Sequence, residues 1–188
     1  MARLQSVGPS PAQRGLIDTI VHGAMVELFQ SCGVAIAPQH RARVEVAKLQ
    51  LPEISAAINF SLTQDQKPMP RPGQLTLSIP EALFPLMKAE SSRRPAFSDW
   101  VRELTNQLAA RIKHRLLPFG AAMQPLLPTV LTREALERMR PRFPSLRIYV
   151  GRTLRGDALV TWDAAVDDTR LNYSGPADVG TAGDIIVF

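Results

Sequence analysis

The sequence predicts a single α+β domain: a six-stranded antiparallel sheet with long helices packed on it, arranged as an internal pseudo-two-fold duplication. Two long stretches carry apolar residues at helical spacing, and several short segments alternate as strands do. A helix followed by three extended segments occurs twice along the chain. Neither helix can bury its stripe alone, so a shared sheet is the natural partner.

In order along the chain, residues 1–14, with Gly8, Pro9, Ser10 and Pro11, read as a flexible leader, and 15–188 as the domain. Leu16, Ile17, Ile20, Val21, Ala24, Met25 and Leu28 mark a helix ending near Gly33. Extended segments are expected at 42–51 and 54–62. Three prolines make 63–72 a loop, and "GQLTLSI" (73–79) alternates as a strand. A short helix is expected over 80–89, then a polar connector. The second half repeats the plan with a long helix (98–117), a short helix (131–139), and strands near 146–151, 157–163 and 183–188.

Composition narrows the function. The 188 residues are 45% hydrophobic and 21% charged, as in ordinary globular proteins. No apolar run approaches the ~20 residues of a membrane span, and the N-terminus lacks the apolar segment of a signal peptide. A cytoplasmic protein without membrane insertion is expected. The single cysteine, Cys32, excludes an internal disulfide and reads as a small buried hydrophobe. His22, His40 and His114 lie far apart and form no metal-ligand pattern. The net charge is +5, with arginines thickening from Arg93 through Arg94, Arg102, Arg111, Arg115, Arg133, Arg138, Arg140, Arg142 and Arg147. Aromatics are only 6% of the chain and do not interleave with these cations. A solvated basic surface or an acidic protein partner therefore ranks above nucleic acid.

The long second helix carries the most informative face. Val101, Leu104, Leu108, Ile112 and Leu116 form its core stripe. Opposite them, Asp99, Glu103, Asn106 and Ala110 fall within roughly 60° of one another. Asp and Glu four residues apart repel by a few tenths of a kcal/mol, and Asn inside a helix costs roughly half a kcal/mol against Ala. Gln107 stands where a Lys or Arg would have paired with Glu103. Ser98 or Asp99 suits the helix N-terminus, which gives Asp99 a structural reason. Glu103 and Asn106 have none so direct, and Ala110 leaves room for another surface to approach.

The spacing Asp99-x3-Glu103-x2-Asn106, with Pro128 about 22 residues on, resembles the active-site signature of the CheX/CheC/FliY chemotaxis phosphatases. The resemblance covers most of residues 16–188, including the helix–strand layout and the closing "GDIIVF". One motif in the second half is similar to the CheX branch. The first helix offers only Glu27 and Gln30, with Gly23 where Asp or Ser would stand, and reads as inert. Ala110 stands where the family often has Gly.

The resemblance implies a CheC-like fold and phosphatase activity on the aspartyl phosphate of a CheY-like response regulator. Asn106 would hold the attacking water, Glu103 would pair with a lysine of the regulator, and Asp99, Ala110 and Pro128 would support them. No cofactor is expected on this chain; Mg2+ would belong to the regulator. A homodimer through sheet edges is compatible with the resemblance, and nucleic acid is not an expected partner. The alternative is a catalytically inactive CheX-like interaction module.

Overall fold

The computed structural model describes residues 15–41, 52, 54–64, 67–84, 96–138 and 146–175. The expected leader, most of the polar connector and the expected strands over 42–51 and 183–188 lie outside these residues.

Helix α1 spans Leu16–Ser31 and α2 spans Phe97–Leu116, each within two residues of its predicted bounds at either end. Gly33, at φ 78°, ends α1: the Gly33 and Val34 amides turn back onto the Gln30 and Phe29 carbonyls at 2.9 Å. The third helix, α3, is Arg133–Arg138. The Ala135 amide donates to Thr132 Oγ1 at 3.3 Å, a side-chain cap that starts α3 two residues later than expected. Of the helix expected over 80–89, the described part is a 3-10 turn, Glu81–Leu83.

Eight strands form one antiparallel sheet: β1 (Ala37–Arg41), β2 (Ile54–Gln64), β3 (Lys67–Pro68), β4 (Gly73–Ser78), β5 (Ala121–Pro125), β6 (Thr129–Thr132), β7 (Arg147–Thr153) and β8 (Gly156–Asp163). The predicted count of six is thus corrected to eight among the described residues. β2, β4, β7 and β8 were legible; β1, β3, β5 and β6 were not. Three of those four contain proline, which reads as loop in a sequence but is tolerated where a strand has an unpaired side. Part of the loop expected over 63–72 is therefore strand.

The order is β1-β7-β8-β4-β2-β3, with β5 and β6 both on the free side of β2. β4 and β8 meet at the centre, and β2 and β7 flank them as their hairpin partners. β1, which follows α1, joins β7; β5 and β6, which follow α2, join β2. Each half thus lends its first strand to the other, which is the expected pseudo-two-fold plan. The exchange also explains why neither half reads as a separate domain.

Both helices share one core with the sheet. Ile58, Phe60 and Leu62 of β2, Leu75 and Leu77 of β4, and Ala158, Val160 and Trp162 of β8 belong to it at strand periodicity. α2 contributes Leu104, Leu108, Ala109, Ile112 and Leu116. Burying each larger side chain stabilises by roughly 1.5–3 kcal/mol. That outweighs the few tenths of a kcal/mol lost to repulsion on the opposite face.

Candidate functional site

The buried stripe fixes the rotation of α2, and the rotation decides what faces outward. Asp99, Glu103, Asn106 and Ala110 are all exposed. Gln107 Nε2 donates to Glu103 Oε1 at 3.0 Å. A neutral amide thus orients the Glu103 carboxylate without cancelling its charge, as a lysine at 107 would have done. Among the described residues the Asn106 side chain makes no hydrogen bond, so its amide NH2 and its Oδ1 are both available at the surface. Asp99 pairs with Arg102 at 3.1 Å across a turn. The expected side-chain cap is not formed: the helix starts from Ala96, with no side-chain hydrogen bond to its first amides.

Pro128 lies in the chain that returns after α2, between β5 and β6. α2 runs into a 3-10 turn, Leu117–Phe119, and Gly120 at φ 69° turns the chain into β5. On this return α2 contacts both β5 and β6. Between these strands the ladder to β2 breaks. β5 pairs from Phe60 onward and β6 up to Ala57, and the Leu126 amide reaches the Asn59 carbonyl at 2.8 Å. Pro128 sits in this break, where its missing N–H removes no ladder bond. Leu126 and Leu127 stand out beside it, 65% and 89% exposed.

The first helix is engaged differently. Glu27 accepts from Arg115 at 2.6 Å, tying α1 to α2. Gly23 lies under that arginine: a Cβ there would stand 2.7 Å from Arg115 Nη1. Gln30 is exposed. The residues that stood closest to a second motif therefore include two that serve the contact between helices.

The arginine run also turns inward. Arg111 donates to the Gln107 carbonyl and to Ser31 Oγ, both at 3.3 Å. Arg147 bridges Asp18 at 3.1 Å and Asp168 at 2.9 Å, while Tyr149 donates its hydroxyl to Asp18 at 2.8 Å. Burial works against the Arg147 charge, yet Asp168 and Asp18 hold its pKa above the ordinary value. Burial, and then the Asp18 carboxylate, push the Tyr149 phenol far above its usual range. Sequence reasoning missed this network, because its members are 129 and 21 residues apart along the chain.

Cys32 is half-buried at the end of α1, and burial raises its thiol pKa. Among the described residues, no three His, Cys, Asp or Glu side chains gather as a metal-binding group. No described helix is long and apolar enough to cross a membrane.

No family model matches the chain, and no curated protein matches it by sequence. Solved structures do match it. CheX from Vibrio vulnificus aligns with a TM-score of 0.60 at 16% identity, over 79% of this chain and 95% of that one. A CheC-like superfamily protein from Shewanella sp. PV-4 aligns with a TM-score of 0.59 at 16% identity, over 78% and 95%. A chain of the CheX–CheY–BeF3–Mg2+ complex from Borrelia burgdorferi aligns with a TM-score of 0.51 at 10% identity, over 78% of this chain and 94% of that one. The chain has the fold of the CheX and CheC-like chemotaxis proteins.

Proposed function

We propose that this protein is a phosphatase for the aspartyl phosphate of a CheY-like response regulator, working through the exposed face of α2. The observation that carries this reading is the side-by-side placement of Glu103 and Asn106 on a rigid helix, both exposed, with the carboxylate oriented by Gln107. The neighbour crystallised as a CheX–CheY–BeF3–Mg2+ complex supports a regulator as the partner.

Phosphoryl transfer needs positioning and charge stabilisation more than a nucleophilic side chain. Glu103 docks against a regulator lysine through a charge-assisted hydrogen bond. Asn106 accepts a hydrogen from a water and holds its oxygen in line with the phosphorus. The water oxygen forms the new P–O bond, and the bond from phosphorus to the regulator aspartate breaks. The aspartate returns as a free carboxylate, and inorganic phosphate leaves as H2PO4−, carrying the oxygen and both protons of the water. The Mg2+ belongs to the regulator and neutralises charge on the transferring group. Ala110 keeps the helix surface low where the partner approaches, and the Leu126–Pro128 turn forms the rim.

The test incubates the protein with phosphorylated regulators from the same genome and follows loss of phosphate. Acceleration of at least one regulator is expected, in the range of about 10²–10⁴-fold for orienting catalysis. Binding without acceleration would leave an interaction module in its place.

A further inference from the structure

We propose that three rings, Phe84, Phe97 and Trp100, form a clasp that sets the N-terminal turn of α2 and, through it, the position of Glu103. Trp100 is the positioning residue of this clasp. The proposal rests on the phosphatase reading for its consequence, though not for its geometry.

The first amides of a helix have no partner within it, and α2 starts without a side chain to receive them. Val101 is the first fully buried residue of the helix, and in the turn before it Trp100 meets the core while only partly buried. The rings anchor that turn from the side. Phe84 and Trp100 have centroids 5.1 Å apart, Phe84 and Phe97 5.6 Å, and Phe97 and Trp100 6.0 Å, all tilted. These separations fall within the range of favourable aromatic pairs. Phe84 follows Leu83, which is fully buried and fixes the 3-10 turn to the core. The clasp therefore joins the end of the first half to the start of the working helix in the second.

The helical ladder carries the effect inward. The Glu103 amide bonds to the Asp99 carbonyl, inside the clasped turn, whereas Asn106 hangs from a turn lined by buried Leu104, Thr105 and Leu108. Loosening the clasp thus moves Glu103 and leaves Asn106 in place. With Glu103 in the docking role and Asn106 in the water-positioning role, the two kinetic constants separate.

The experiment compares the parent, Trp100→Ala, Trp100→Phe and Phe84→Leu on a matched phosphorylated regulator, with amide exchange along α2. Trp100→Ala is expected to raise the regulator KM about 10-fold, because a displaced contact group loses much of its interaction. The rate at saturation should change by less than about 3-fold, since the orienting amide stays fixed. Trp100→Phe, which keeps a ring, should recover most of the KM. Exchange should quicken at residues 101–104 and stay unchanged at 108–112. Unchanged KM together with unchanged exchange would overturn the clasp. So would a fall in turnover alongside the rise in KM, with exchange quickened all along α2, which marks an ordinary packing role. Phe84→Leu gives the same readouts if Trp100→Ala does not fold. A parent that dephosphorylates no regulator would defeat the phosphatase reading instead, and the exchange pattern alone would then decide the clasp.

Discussion

α1 and α2 bury the same stripe in the same register. Ile17, Ile20, Val21, Ala24, Met25 and Leu28 are repeated, turn for turn, by Val101, Leu104, Thr105, Leu108, Ala109 and Ile112. Each helix is followed by a strand that crosses to the other half of the sheet. Their outer sides differ. In this register Thr19 stands at the place of Glu103 and His22 at that of Asn106. His22 is half-buried, edge-on to the Tyr149 ring at 5.5 Å. Asp18 and Glu27 are held by Arg147 and Arg115. The polar groups of α1 hold the fold together, whereas Asp99 and Glu103 of α2 make contacts within their own helix. The acidic side chains of α1 are thus engaged in contacts with the second half, whereas those of the α2 face are not.

The largest effect that separates the α1 contacts from the α2 face should come from Arg147. Arg147→Ala leaves Asp18 and Asp168 without their shared cation in a partly buried site. Breaking such a pair should cost about 3 kcal/mol in urea unfolding, while saturating turnover of the folded protein stays at the parent level. A change in turnover with unchanged stability would break the division between the contacts that hold α1 and the exposed face of α2.

That network was invisible in the sequence, and the reason is physical. The α2 stripe, its exposed face and four of the strands follow local periodicities, so residues 97–116 could be read from spacing alone. Arg147, Asp18, Tyr149 and Asp168 meet only once the sheet is assembled, and no local pattern encodes their meeting. The edge strands were obscured by Pro38, Pro68 and Pro125. The assignment of catalysis to α2 rests on the family resemblance, while the exposure of a carboxylate and an amide opposite a clean stripe was legible. The role of Gln107 and the missing cap at Ala96 were not, since each depends on a rotamer or a backbone start.

Glu103→Ala and Glu27→Ala sharpen the comparison by removing one carboxylate from each helix. Glu103→Ala should weaken regulator binding by about 1.5–3 kcal/mol, the worth of a hydrogen bond to a charged group. It should leave the melting curve within about 0.5 kcal/mol of the parent. Glu27→Ala should leave binding alone and cost at most about 1 kcal/mol of stability, since its ion pair with Arg115 is largely exposed. Isothermal titration and thermal melts of both variants check this pair.

The smallest effect is a pH dependence confined to the α1 side. The folded Tyr149 phenol titrates above its unfolded value of about 10, so its contribution is complete below that pH. It is lost progressively as pH rises beyond about 10. Between pH 8 and 11 the parent should lose more stability than Tyr149→Phe, read from urea midpoints at the two pH values. Equal losses would mean that the buried phenol does not differ from an exposed one.

The most direct test of the working face is Asn106→Ala, measured as the rate of phosphate loss from a saturating phosphorylated regulator. The side chain is exposed, so folding should be preserved within about 0.5 kcal/mol. With Glu103 intact, the regulator should still bind with near-parental affinity, while turnover falls at least about 100-fold. Parental turnover by Asn106→Ala would contradict the assignment of the α2 face to catalysis.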